Sequence, residues 1–160
     1  MKITANEEYG LRIMLRAAKI QNERPGELIS LNELAQAEGI SVENTASILS
    51  KLREAGLIES LRGKFGGYKL IKEPANTSLY EVLKGISKET FSFDFCESYS
   101  GTQETCVNAG DCTVRPVWSH LTSLINNFLA GISIKDLMTD EHKTDALLQR
   151  FTSASLEGAK

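Results

Sequence analysis

The run Lys51-Leu52-Arg53-Glu54-Ala55-Gly56-Leu57-Ile58 reads as the end of a helix, and it leads directly into Ser60-Leu61-Arg62-Gly63-Lys64-Phe65-Gly66-Gly67-Tyr68-Lys69-Leu70. The second stretch is two short apolar, strand-like runs about a basic double-glycine turn. Gly66 and Gly67 can take positive φ without steric cost, so a tight turn is expected there. A helix followed at once by a basic hairpin limits the chain to few arrangements, because the hairpin needs that helix to present it. Taken alone the pattern also fits a plain surface hairpin. What precedes it argues otherwise.

Leu11, Met14, Leu15 and Ala18 recur at helical spacing, predicting a helix over residues 7–22 that Glu23-Arg24-Pro25-Gly26 breaks. A second helix is expected over Leu31 to Glu38, with Ser30 as N-cap and Glu33 three residues on in the capping-box arrangement. Gly39 stops it. Ser41 then caps a third helix whose apolar face is Ala46, Ile48, Leu49 and Leu52 and which ends at Gly56. Two helices joined by a short turn centred on Gly39 and Ile40 make a helix-turn-helix, with the hairpin as its wing. In such a layout Arg62 and Lys64 stand at the wing tip, where their charge can reach phosphates or a minor groove.

After a break at Glu73-Pro74-Ala75-Asn76, Ser78 to Ile86 reads as a short helix. Residues 88–112 carry few periodic apolar positions and read as a long loop, a length that commonly marks function. Val114, Val117, Leu121, Leu124, Ile125, Phe128 and Leu129 trace a long helical stripe up to Gly131, with Trp118 beside it. So apolar a helix needs a partner surface, either its own domain or a second copy. The second copy is favoured, because a DNA reader of this size usually binds paired half-sites. Ile132 to Met138 reads as a short addendum. The polar tail from Thr139 is expected to be helical through Leu147 and Leu148 and frayed from Ser153.

The expected architecture is mainly α with a small β-wing: a winged helix-turn-helix domain over residues 1–86, a cysteine loop over 87–112, a dimerisation helix over 113–138 and a polar tail over 139–160. The formal charge of −3 looks wrong for a nucleic-acid binder until it is divided along the chain. Residues 43–72 hold six basic against three acidic side chains, whereas residues 73–160 hold seven against twelve. The positive excess falls on the segment suspected of reading DNA, and local field matters more than total charge for docking on phosphates. No apolar run approaches the length of a membrane span, and the first residues lack a signal-peptide layout, so a cytoplasmic protein is expected.

The three cysteines of the chain, Cys96, Cys106 and Cys112, all fall in the long loop. An odd number this close together is a poor disulfide framework and a better metal or redox cluster. Zinc sites usually use pairs two to four residues apart, which are absent, so an iron–sulfur cluster is the better metal reading. Free thiols are the alternative. His120 could supply a nitrogen from the next helix, and His142 lies in the polar tail. No paired catalytic carboxylates, phosphate-cradling glycine loop or nucleophile–histidine constellation is present, so an enzyme is not expected.

Four islands then occur in order: M-K-I-T-x₄-Y-G-L-R from Met1, I-S-x₇-L-x-K-L-R-x-A-G-L-I from Ile40, R-G-x₂-G-G-Y-x-L from Arg62, and C-x₅-C-x₂-R-x₂-W from Cys106. Together they resemble the Rrf2 family of bacterial transcription regulators, of the IscR, NsrR and CymR type, over about Met1 to Met138. The resemblance implies a homodimer in which the long helix crosses to the partner, the third helix of each subunit enters a major groove and each wing an adjacent minor groove. It implies a [2Fe–2S] or [4Fe–4S] cluster on Cys96, Cys106 and Cys112, whose oxidation, nitrosylation or loss changes affinity for a pseudo-palindromic operator in double-stranded DNA.

The chain departs from the family's cluster pattern in two places. Nine residues separate Cys96 from Cys106, more than is common in cluster-binding relatives. Arg115 stands where one branch has a ligating histidine. Other branches take a carboxylate from the partner's first helix, and Glu8 holds the matching position. On this reading Ser41, Asn44, Thr45, Ser47 and Lys51 face the major groove or its phosphates, and Arg62, Lys64, Gly66, Gly67 and Tyr68 form the DNA-facing wing. The family's cluster-free mode, regulated by thiol oxidation, a metabolite or a partner protein, is the alternative.

Overall fold

The computed structural model describes residues 3–63, 66–87, 96, 99 and 101–157, with backbone alone for 153–157. Lys64 and most of residues 88–100 lie outside the described residues. The described chain forms α1 (Ala5–Glu23), α2 (Leu31–Glu38), α3 (Val42–Glu54), β1 (Ile58–Leu61), β2 (Gly67–Leu70), α4 (Leu79–Ile86), α5 (Arg115–Ala130) and α6 (Glu141–Glu157).

Local chemistry explains most of the helix starts. Thr4 and Glu7 form a capping box at α1, and Ser78 and Glu81 form another at α4. The Lys72 ammonium and the Ser78 backbone N–H hold the Glu81 carboxyl below the usual carboxylate range. At α2 the expected box is only half made: Ser30 Oγ accepts from the Glu33 N–H at 3.1 Å, while the Glu33 carboxylate turns to Arg24. A charged partner nearby offers that carboxylate more than a backbone N–H does. Gly39 ends α2 in the left-handed conformation at φ 65°, which reverses the chain into α3. At the same corner the Glu38 carboxylate, only 5% exposed, accepts from Arg12 at 2.9 Å and Arg16 at 2.6 Å, tying α2 to α1.

The helices enclose one core. Ile13 and Met14 of α1, Leu34 of α2, Ile48, Leu49 and Leu52 of α3 and Val82 of α4 are all fully buried. So are Ile132 and Ile134, which follow α5. That segment is more than an addendum. Leu79 N–H donates to the Ile132 carbonyl at 2.9 Å and Ile134 N–H to the Thr77 carbonyl at 2.8 Å, so the chain is strapped back across the start of α4. The alternation of Ile132, Ser133 and Ile134 is what an extended segment with one buried face requires.

The wing is an antiparallel pair in which Ile58 faces Leu70 and Leu61 faces Gly67. A third segment joins it: Tyr68 and Ile29 exchange two backbone hydrogen bonds, at 2.8 and 2.9 Å. The two central glycines serve differently from expectation. Among the described residues the positive φ of the turn belongs to Gly63, at 126°, and neither Gly66 nor Gly67 has one. They are needed for close approach instead. A Cβ on Gly66 would collide with the Leu61 carbonyl, and one on Gly67 would lie 2.8 Å from the Ile29 carbonyl oxygen. Because backbone would have to shift, Gly67→Ala is expected to cost about 1–3 kcal/mol in urea unfolding. An unchanged midpoint would show that the Ile29 strand is not held against the wing.

α5 departs from the rest of the fold, for none of its sixteen residues is buried. The tail is more ordered than its polar composition suggests, since α6 runs to Glu157, well beyond Leu148. Leu148 and Phe151 are half-buried against the core, and Phe151 approaches Gly131 at the end of α5. No helix among the described residues is long and apolar enough to cross a membrane.

Candidate functional site

The turn after Gly39 aims the first residues of α3 outward. Ser41 Oγ caps α3 by accepting from the Asn44 N–H at 3.2 Å. Ser41 and Ser47 are exposed, and Asn44 and Lys51 are half-buried. Glu43 shares this face, because positions 43, 47 and 51 follow the four-residue spacing of one helical stripe. It is exposed, and a carboxylate there can accept from a cytosine amino group. Sequence reasoning passed over Glu43, although that spacing was available to find it.

Thr45 is a correction. It is fully buried, and its hydroxyl donates to the Ser41 carbonyl at 2.9 Å. It lies on the same face as Ile48, Leu49 and Leu52, three, four and seven residues on, which points it into the core rather than toward a groove. The remaining candidates on α3 keep an outward face. Beyond the sheet Arg62 is exposed, close to the wing turn. Tyr68 is half-buried against the core, and Gly67 is committed to the approach of Ile29. Arg62 is therefore open to a ligand, whereas Gly67 and Tyr68 hold the sheet.

The cysteines meet in a second place. Cys96, Cys106 and Cys112 all line one hollow of about 520 Å³ beside the start of α5. Tyr99 and Trp118 give it an aromatic wall. Arg115, also in the wall, donates to the Ala109 carbonyl at 2.8 Å, bracing the turn between Cys106 and Cys112. Cys96 is exposed and the other two thiols are half-buried. Among the described residues no three Cys, His, Asp or Glu side chains converge on a single ion position. In donor chemistry, three soft thiolates fit an iron–sulfur group. His120 stands apart, its Nδ1 donating to the Pro116 carbonyl at 2.8 Å. Glu8 is exposed on α1 and does not belong to the wall.

Three helices, a two-stranded wing and a protruding long helix define a winged helix-turn-helix regulator. The Rrf2 family, described as an iron-dependent transcriptional regulator, matches residues 3–140, and the chain belongs to it. The transcriptional regulator IscR of Aliivibrio salmonicida is 33% identical over 140 residues, spanning 88% of this chain and 79% of that one. Among solved structures, CymR, the global cysteine regulator of B. subtilis, superposes with a TM-score of 0.66 at 27% identity, covering 88% of this chain and 99% of its own. The oxidized form of Staphylococcus aureus CymR gives 0.62 at 26%, covering 88% and 98%. The helix α6 lies beyond the family match.

Proposed function

We propose that the protein is a homodimeric, sequence-specific DNA-binding transcription regulator, not an enzyme, whose operator affinity is controlled by an iron–sulfur cluster, [2Fe–2S] or [4Fe–4S]. The gathering of all three thiols on one hollow at the root of α5 carries this reading. Cys96, Cys106 and Cys112 hold the cluster, and the family resemblance adds the partner subunit's Glu8. When bound, the cluster supplies a group whose oxidation, nitrosylation or loss changes how the loop is held. Arg115 ties that loop to the first residue of α5, so a change in the loop bears on the helix that joins two subunits. Half-sites lie about one turn of DNA apart, roughly 34 Å, and a small rotation of one subunit alters the fit on both sides.

On DNA, Ser41, Glu43, Asn44 and Ser47 present groups to base edges, Lys51 reaches a flanking phosphate, and Arg62 enters the minor groove with Lys64 beside it in sequence. Arg62→Ala is expected to weaken operator binding. Lys51→Ala should weaken binding to specific and random duplex alike and lower the salt slope by about one, the loss of one phosphate contact. Fluorescence anisotropy over a salt series measures both. Unchanged affinity in both variants would remove α3 and the wing from the interface.

The central experiment joins spectroscopy to binding. Anaerobically purified protein should be coloured, contain iron and sulfide, and bind the duplex upstream of its own gene with an affinity that changes roughly 5- to 150-fold when the cluster is removed. Equal competition by random duplex in both states would end the reading as a specific regulator. A colourless protein without iron or sulfide would favour the second reading, in which the same thiols respond by oxidation, or a metabolite or partner protein regulates the chain. The likeness to CymR structures, one of them an oxidized form, favours that alternative.

A further inference from the structure

We infer that Val42, the first residue of α3, reads the 5-methyl group of a thymine in the major groove, with Ala46 one turn on completing the contact. The inference rests on the DNA-reading role proposed for α3 and deepens it by naming one base in each half-site. Val42 is 41% exposed, and among the described residues it stands outside the apolar cluster that α3 builds with the other helices. It has no part in starting the helix either. Ser41 Oγ makes the cap, and Ile40, just before it, is the residue that packs against the core. A β-branched side chain is also a poorer helix former than alanine, so helix propensity gives no reason for a valine at this position.

The chemistry of the row decides what it can meet. Val42, Ala46 and Ser50 follow one another at four-residue spacing, so they lie in line on one flank of α3, next to the row of Glu43, Ser47 and Lys51. The side chains of Val42 and Ala46 neither donate nor accept hydrogen bonds, and the Ser50 hydroxyl is engaged by Glu54, to which it donates at 3.2 Å. Such a row has nothing to exchange with phosphates or with amino and carbonyl edges. The major groove presents it with one apolar group, the C5-methyl of thymine. That methyl stands toward the backbone side of the base edge, while the hydrogen-bonding atoms lie nearer the middle of the groove. A helix lying in the groove therefore meets polar edges along its outermost row and methyls along its flank. Glu43 and Val42, neighbours in sequence, divide in this way: the carboxylate accepts from a cytosine amino group and the valine covers a thymine.

Deoxyuridine in place of thymine removes the methyl and leaves every hydrogen-bonding atom, so it tests this directly. The duplex upstream of the protein's own gene is prepared with its thymines replaced one at a time, and fluorescence anisotropy compares full-length wild type, Val42→Ala, Val42→Thr and Ile71→Ala. One position in each half-site is expected to weaken wild-type binding roughly 3- to 10-fold, the range a buried methyl is worth. Val42→Ala should bind the unmodified duplex about as weakly as wild type binds the modified one, and should respond little to the replacement, which is the signature of a direct pair. Val42→Thr keeps a methyl branch and should keep part of the response. Ile71→Ala truncates a comparably exposed apolar residue beyond β2 and should keep all of it. The ratio of the two affinities, taken within one protein, does not depend on the fraction of folded chain. A wild type indifferent to every replacement, or a response undiminished in Val42→Ala, overturns the assignment while leaving a specific DNA binder. Equal competition by random duplex overturns the DNA-reading role itself, and the thymine assignment falls with it.

Discussion

The double substitution Leu121→Glu and Leu124→Glu is expected to leave the protein monomeric and to weaken operator binding by roughly 10²- to 10⁴-fold, the range lost when two linked sites are uncoupled. The argument starts from α5. Val114 at its N-cap and Val117, Leu121 and Leu124 along it are 53%, 60%, 44% and 46% exposed in the single chain. They are spaced three, four and three residues apart, and Phe128 continues the series four residues further on. That is the alternation of a helix-to-helix seam, in which side chains interdigitate with those of a second helix. In the homodimer proposed above a second copy of α5 would supply the matching surface, since an isologous contact presents the same stripe to itself. Because these leucines are already half-exposed in the monomer, glutamates there should not lower its melting temperature. Light scattering would give the mass and anisotropy the affinity. A dimeric double variant with wild-type affinity would place the subunit contact elsewhere.

The same helix shows why some of this protein was legible before its structure and some was not. Periodicity located α5 and its apolar stripe, because exposure to solvent or to a partner does not alter helical spacing. It also located α1 to α4, whose caps and breakers are local signals. The HTH turn was legible from Gly39, where the chain must reverse in a left-handed conformation. Long-range pairings were not. Nothing near Ile29 in sequence announces that it will pair with the distant Tyr68, and the demand that pairing places on Gly67 is equally hidden. The double glycine was read as a source of positive φ, but Gly63 supplies that, and its neighbours make room for backbone.

The candidate site divides along the same line. That the cysteines share one hollow could be anticipated from their clustering in a coreless loop, whereas the place of Tyr99 in its wall could not. Which side chains share a wall with three thiols depends on tertiary folding, and no spacing rule encodes it. The fate of Ile132 and Ile134 belongs here too. Their alternation is visible in the sequence, but two residues are too few to announce a strand. Only the backbone of Thr77 and Leu79, waiting for partners, makes the segment extended and buried.

Leu52→Ala is expected to lower stability by about 2–5 kcal/mol, a large part of the roughly 5–15 kcal/mol typical of a folded domain. Leu52 is fully buried among Ile48, Leu49 and the α1 residues Ile13 and Met14. Removing its branched end leaves a cavity that a helix bundle this small cannot collapse around without shifting α3. On the proposed function the shift matters, because α3 would carry its DNA-reading residues on its other side. Urea unfolding should show a lower midpoint with an unchanged slope. Asn44→Ala is the companion variant. One helical face away, at a half-buried position, it should leave the urea midpoint within about 0.5 kcal/mol of wild type, as surface changes do. Its cost should appear instead as about 1–3 kcal/mol of lost discrimination between operator and a duplex altered at the contacted base. If Asn44→Ala destabilised the fold as much as Leu52→Ala, the division of α3 into a buried face and a reading face would fail. If it left discrimination intact, the reading would pass to Glu43 and Ser47, the exposed residues on the same stripe.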